Sequence, residues 1–456
     1  MEIQAQEQTK GIRRYIPISA WLPQYQGKWL RTDIIAGLTI MALLVPEGMA
    51  YAELAGMPPQ AAFYAAPVGL ILYGIFGSSR QLVVAVSAAV AVMSFSIVSG
   101  LVPVGSPEFI TLTAALAILA GLVALLAGLL RLGRIAQFFS ESVLVGFVSG
   151  LALVIMIRQI PKLFGLEPVD GNFWERVVEL ARELPETHLF TLAVGLSALI
   201  LAIFLERRYK RIPAALIVMI YGIAVVSALN LGDLGVHVIG DIPSGLAPPK
   251  LPDLNLQAWL RLIPGALAIT LVIFSEAVGP ARSFASKHHY EIDENQDLIG
   301  IGLANLGAGL FQGFSIGASL SKSAASDAAG GKTQMAGITA AIFTALVALF
   351  FTPLFFNLPE AVLAAIVIVG ISGMIKVKDF RRLYRLRRVE FWLALITFLG
   401  VLTFEEVIVG LLLGVILSLL ALIGRTSQPK LSVLGRIPGT VLYRSRVNFP
   451  AAIRDP

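Results

Sequence analysis

The sequence has no cysteine among its 456 residues, which excludes disulfides, thiol nucleophiles and cysteine-ligated metals. It is also poor in charge. Asp, Glu, Lys and Arg make up 14% of the chain, against about 25% in a soluble domain. Histidine is scarce: His188, His237, His288 and His289 lie at span ends or in loops, and none has a metal-site neighbourhood. Residues 1–32 are polar and lack a signal peptide's apolar core, so the first span is expected to direct insertion. The net charge of +6 comes from Lys and Arg spread among short loops, which argues against nucleic acid as a partner. No nucleophile–base pair stands out, so the reading is not an enzyme, and no cofactor is expected.

Apolar residues are abundant, at 57% with a mean hydropathy of +0.81. Long apolar runs recur from Ile34 to Gly424, which predicts an all-α polytopic membrane protein. About 14 segments are expected, in two repeats whose interrupted helices correspond. The expected divisions are an N-terminal segment 1–32, a first membrane repeat 33–230, an extracytoplasmic linker 231–258, a second repeat 259–424 and a tail 425–456. Pro161 to Glu186 reads as a polar loop. Basic residues fall in alternate loops: Arg80; Arg131 and Arg134; Arg207, Arg208, Lys210 and Arg211; Arg282 and Lys287; Lys332; and the run Lys376 to Arg388. That alternation places both termini in the cytoplasm and the protein in the cell membrane. The last run reads as an inside loop touching anionic lipid. Glu405 and Glu406 read as a solvated turn on the other side.

Two stretches break the apolar pattern. Asn305 to Gly337 is rich in Gly, Ser, Ala and Thr, and has no apolar run of the roughly 20 residues needed to span. Ala318 to Ala329 predicts a half-helix, with Gly309, Gly313 and Gly317 letting the backbone leave helical geometry before it. Gln81 to Gly100 is the counterpart in the first half, with a half-helix starting near Ala85 to Ser87. The first span of each half also matches: Pro46 and Glu47 in one, Glu276 and Pro280 in the other. Proline there is expected to kink or break the helix. Broken helices at corresponding places point to a substrate site near the midplane. The alternative is a pair of packing helices whose small residues let neighbours approach.

Two half-helix N-termini meeting at the membrane centre would present unpaired N–H groups and partial positive charge, an anion site. Ser87, Ser319 and Ser321 are candidate donors, and Lys322 adds a full positive charge. Glu47 and Glu276 are the intramembrane acids. Desolvation disfavours a charged carboxylate, so either can take a proton on one side and release it on the other. The competing role for both is structural: neutralising Lys322 or capping broken backbone.

The stretch DIIAGLTIMALLVPEGMAYAELAGMPPQAAFYAAP from Asp33 resembles the sulfate permease (SulP) anion-transporter family, as do FGSSRQL from Phe76 and EAVGPARSFASKHHYEIDENQDLIGIGLANLGAGLFQGF from Glu276, which runs on through Ser315 and Ile316 into GASLSKSAASDAAGGKTQMAG. The resemblance implies a fold of seven plus seven inverted repeats, with a core (segments 1–4 and 8–11) that moves elevator-like against a gate, usually in a homodimer. It also implies an anion between segments 3 and 10. By position, Ala85 to Ser87 and Ala88 start segment 3, and Ser319, Leu320, Ser321 and Lys322 form the segment 10 side. Pro46, Glu47 and Tyr51 come from segment 1, and Glu276 from segment 8. Lys322 falls where many relatives carry Arg, and Ala85-Val86 where many carry Gly-Pro, which leaves the anion open. The tail from Lys430 is similar to the lead-in to the family's STAS domain, so the sequence is expected to be the membrane part of a longer protein. The expected activity is proton-coupled symport of an inorganic oxyanion (sulfate, bicarbonate) or a small dicarboxylate. The alternative is an anion exchanger or a sodium-coupled carrier of the same fold.

Overall fold

The structure is a computed structural model that describes residues 15–133, 141–167, 169, 171–209, 212–404, 407–426, 434–440, 442–445, 449 and 453. Arg134, Lys210, Arg211, Glu405, Glu406, Lys430, residues 1–14 of the N-terminal segment and most of the tail discussed above lie outside the described residues. The chain divides into a large unit, Met1–Gly414, and a small one, Val415–Pro456. In the small unit β3 (Leu434–Arg436) pairs antiparallel with β4 (Tyr443–Ser445).

The large unit is helical. A short helix α1 (Ile18–Trp21) precedes α2 (Gly27–Leu54) and α3 (Ala61–Phe76). A strand β1 (Val84–Ala85) leads into α4 (Ala88–Ser99), followed by α5 (Pro107–Leu129), α6 (Glu141–Phe164), α7 (Phe173–Glu183), α8 (Leu189–Arg208) and α9 (Ala214–Leu229). The second half opens with α10 (Leu256–His288) and α11 (Glu294–Leu310). Then come β2 (Gly317–Ala318), α12 (Leu320–Ala328), α13 (Met335–Phe350), α14 (Glu360–Ser372), α15 (Val377–Leu386), α16 (Arg388–Thr403) and α17 (Val407–Thr426). Among the described residues, six helical stretches are long and apolar enough to cross a membrane.

The two halves use the same order of parts: a long helix, a shorter one, a strand with a half-helix, then four more helices interrupted by α7 in one half and α15 in the other. Packing follows that correspondence. α11 packs on α5 as α3 packs on α13, α10 on α5 as α2 on α13, and α4 on α10 as α12 on α2. These eight helices form one group. α6, α8, α9, α14 and α16 pack among themselves as a second, and meet the first through α2 with α9 and α14 and through α4 with α6.

Close approach within the first group rests on small residues. A Cβ on Gly121 of α5 would fall 2.6 Å from the Gly302 carbonyl of α11, and one on Gly309 2.5 Å from the Ala114 carbonyl. With lipid as apolar as any side chain, such contact takes the place of hydrophobic collapse. Helix starts are capped locally. Ser106 accepts from Phe109 N–H at 3.1 Å, Asn255 from Ala258 N–H at 2.8 Å, and Asp293 from Asn295 N–H at 2.9 Å.

Several expectations need correction. Of the kink or break expected at proline, the break does not occur: α2 runs on through Pro46, and α10 through Pro264 and Pro280. The predicted loop Pro161 to Glu186 holds the end of α6 and the whole of α7, whose Asn172–Glu175 capping box is enough to start a helix. The basic run Lys376 to Arg388 contains the helix α15 rather than a loop. α10 begins at Leu256, inside the predicted linker 231–258. The chain after α11 turns through Gln312, at φ +61°, so the neighbouring glycines do not supply the reversal. Gly309 and Gly313 are there for packing: a Cβ on Gly313 would lie 2.6 Å from Ala65 Cβ.

Candidate functional site

The two interrupted stretches meet through backbone. β1 and β2 pair antiparallel, Val84 opposite Ala318 and Ala85 opposite Gly317. Ser319 N–H donates to the Val83 carbonyl at 2.9 Å, and Val83 N–H donates to Ser323 Oγ at 2.8 Å, which extends the ladder. The helix expected to start as early as Ala85 therefore starts at Ala88, because Ala85 is in the strand. An all-helical reading misses this ladder. α4 has 12 residues and α12 has 9, about 18 and 14 Å of helix, too short to span roughly 30 Å of hydrocarbon.

Each half-helix begins with a serine. Ser319 Oγ accepts from Lys322 N–H at 3.4 Å and lies 3.2 Å from Ser321 Oγ. Ser87 caps no N–H of α4; its hydroxyl donates instead to Glu276 Oε2 at 2.9 Å. The first N–H groups of α4, starting at Ala88, have no intrahelical acceptor. Gly317 sits between these parts: a Cβ there would fall 3.1 Å from Glu276 Oε2 and 3.0 Å from Val90 Cγ2. A side chain at that position would crowd Glu276 and Val90 and push one of them back by a few tenths of an ångström.

Lys322 is 1% exposed and pairs with Glu47, itself 7% exposed. Its ammonium lies 5.4 Å from the centre of the Tyr51 ring, in cation–π range. Tyr51 is buried, and its hydroxyl reaches α14, where a Cβ on Gly370 would be 3.5 Å away. Leu320 and Ser321 are exposed, whereas Lys322, next on the same turn of α12, is buried. Of the predicted site residues, Ser87, Ala88, Ser319, Leu320, Ser321, Lys322, Tyr51, Glu47 and Glu276 all lie on β1–α4, β2–α12, α2 or α10, which pack together. The predicted choice of Glu276 or Glu47 as the partner of Lys322 resolves to Glu47.

Counted formally, Lys322 (+1), Glu47 (−1) and Glu276 (−1) leave the site at −1 when all three are ionised. The ammonium of Lys322 is already neutralised by its pairing with Glu47. No cluster of His, Cys, Asp and Glu suited to a metal occurs among the described residues.

Sequence reasoning misses the groups that hold the ladder in place. Asp297 Oδ1 accepts from Tyr73 Oη at 2.8 Å, Ser78 N–H at 2.9 Å and Ser79 N–H at 3.3 Å, fastening the lead-in to β1. Asn305 bonds Ile316 through both its amide nitrogen and its oxygen at 2.9 Å, fastening the lead-in to β2. Asp33 accepts from Lys332 N–H at 2.6 Å and Thr333 Oγ1 at 2.8 Å, fastening the exit from α12. Tyr25, ahead of α2, donates to Asp33 at 3.2 Å, and burial together with that carboxylate pushes its hydroxyl up to about 12. In sequence each of these acids sits at a span end, where a solvated role is the default.

The comparisons agree with this architecture. The sulfate permease family pattern matches residues 30–397. A probable sulfate transporter of Mycobacterium tuberculosis is 36% identical over 444 residues, covering 96% of this chain and 79% of its own length. Human solute carrier family 26 member 6 is 32% identical, and the match covers 97% of this chain but 61% of the human protein. For the chloroplastic sulfate transporter 4.1 of Arabidopsis thaliana the figures are 33%, 97% and 65%. Among solved structures, SLC26A9 superposes with a TM-score of 0.88 at 24% identity, covering 97% of this chain and 73% of that one. The transmembrane domain of the cyanobacterial bicarbonate transporter BicA gives 0.74 at 20% identity, covering 86% and 98%. Family match, relatives and fold agree: this chain is an integral membrane protein of the sulfate permease family.

Proposed function

We propose that the chain carries a small anion across the cell membrane by proton-coupled symport, with the anion bound between the starts of α4 and α12. The observation that carries this reading is the buried Lys322–Glu47 pair at the first turn of a half-helix. The cation is the anion's natural partner, and the carboxylate holds its place until a proton arrives. Protonating Glu47 frees Lys322; the anion then takes Lys322, Ser319, Ser321 and the N–H groups at Ala88 and Leu320. Glu276, bonded to Ser87, is the second proton acceptor. The anion is an inorganic oxyanion such as sulfate or bicarbonate, in keeping with the names of the relatives, or a small dicarboxylate.

In this reading residues 33–230 and 259–424 are inverted repeats, and both termini are cytoplasmic. α2–α5 with α10–α13 form a core that moves elevator-like against α6, α8, α9, α14 and α16, in a homodimer. Support comes from the concentration of site residues on one packed group and the narrow set of contacts between groups. The test is uptake of radiolabelled sulfate, bicarbonate and dicarboxylates into proteoliposomes with and without an inward proton gradient. Uptake that ignores the gradient replaces symport with exchange or sodium coupling.

A further inference from the structure

We infer that α15 is a docking surface for the anionic lipid headgroups of the leaflet it lies against. Its residues Lys378, Arg381, Arg382 and Arg385 are all exposed, at the i, i+3, i+4, i+7 spacing of one helical face. No carboxylate pairs with any of the four among the described residues, whereas the neighbouring Arg387 is engaged by Glu390. The opposite side of α15 leans on α16 through two ring contacts, with Tyr384 itself still exposed. Phe380 meets Phe398 with ring centres 5.8 Å apart, and Tyr384 meets Phe391 at 5.1 Å. Lys376 N–H donates to Ser149 Oγ at 3.1 Å, pinning the start of α15 to α6.

Around the cationic face, apolar groups stand out from the protein: Val377 is 51% exposed, Leu386 71%, Val389 56% and Trp392 57%. A solvated helix has no use for that fringe. A bilayer surface does, since cations meet the headgroups while Trp, Leu and Val enter the acyl boundary. α14 and α16, the apolar helices on either side of α15, fix it at the membrane edge. Negative charge on the inner leaflet supplies the complementary partner. Because α15 packs on α6 and α16, bound lipid holds the second helix group, not the group carrying Lys322.

The test uses the absence of native cysteine. Leu386→Cys in the whole chain is labelled with an environment-sensitive fluorophore and reconstituted into phosphatidylcholine vesicles, with or without phosphatidylglycerol. The expected result is that phosphatidylglycerol shields the label from aqueous acrylamide and exposes it to a lipid-borne quencher, and that high salt reverses this. Removing cations one at a time, up to Lys378→Gln, Arg381→Gln, Arg382→Gln and Arg385→Gln together, weakens the preference for phosphatidylglycerol about five-fold per charge. Equal immersion in both lipids, or a preference that survives all four changes, overturns the proposal. So does a label shielded from acrylamide yet untouched by the lipid quencher, which would mean a protein segment covers the face. The readout needs no transport, so it stands or falls apart from the anion reading.

Discussion

Glu47 and Lys322 are 275 residues apart in sequence and pair in the interior, α2 to α12. A buried pair contributes little net stability, but removing one partner strands the other, at a cost of about 3–5 kcal/mol. Lys322→Ala is therefore expected to weaken anion binding and to lower the melting temperature in detergent. Glu47→Gln with Lys322→Met, which removes both charges, is expected to recover most of that stability and none of the binding. If the double variant is as unstable as Lys322→Ala, the pair is not the source of the loss.

Ser321 is exposed at the first turn of α12, beside the buried Lys322. A large side chain there has room to point outward, so the fold should tolerate it. Ser321→Trp is expected to abolish uptake while leaving stability within about 0.5 kcal/mol of wild type, as for other surface changes. Wild-type uptake in this variant would move the anion away from the start of α12.

Asp297 is 3% exposed and gathers four donors from Tyr73, Ser78 and Ser79. Asp297→Ala removes the oxygen on which all four donors converge. Each buried group left unsatisfied costs about 1–3 kcal/mol. The expected outcome is a lower melting temperature and a raised half-saturation concentration for the anion, since the same carboxylate fixes the lead-in to β1. Unchanged stability would mean the loop is held elsewhere.

How much of this is legible in the sequence depends on the kind of force. α3, Ala61–Phe76, can be read residue for residue, because Pro58-Pro59 and Gly77 bracket a continuous apolar run. The half-helices are legible as gaps in hydropathy, and Glu47, Glu276 and Lys322 as charges inside apolar surroundings. The β1–β2 ladder is not legible, since two residues carry no alternation. Nor are Asp33 and Asp297, whose span-end positions are those of ordinary solvated acids. Gly309 and Gly313 read as hinges from one chain, but their partners Ala114 and Ala65 lie on other helices, and only the packing reveals the reason for glycine.

Lys162 on α6 pairs with Glu53 near the end of α2 and lies 3.9 Å from Glu360 at the start of α14. It joins the two helix groups at the end of the bundle opposite α15. A partly exposed bridge is worth up to about 1 kcal/mol, roughly a five-fold shift between two conformations. Lys162→Met is expected to favour the conformation in which this end is open. A single Ser321→Cys probe, labelled from each face of the vesicle, would then react faster from the Lys162 side. Identical labelling from both faces in wild type and variant would show that the bridge does not hold this end closed.

Proton coupling is the prediction on which the transport reading turns. The site carries two carboxylates against one ammonium, and Glu276 and Glu47 stand differently in it: one accepts from Ser87, the other faces Lys322. An anion entering alone would add negative charge to a site already at −1, and moving one unit charge against 100 mV costs about 2.3 kcal/mol. Anion with proton avoids that cost. Glu276→Gln, permanently neutral, is expected to weaken the response of uptake to an inward proton gradient, with Glu47 still present, and to keep anion-for-anion exchange. Glu47→Gln removes the carboxylate that neutralises Lys322, so the anion is expected to bind more tightly than in wild type. Uptake in proteoliposomes at several inside and outside pH values separates the two. If wild type responds to the gradient and both variants respond equally, the proton travels by another route, and the two carboxylates serve only to hold Ser87 and Lys322.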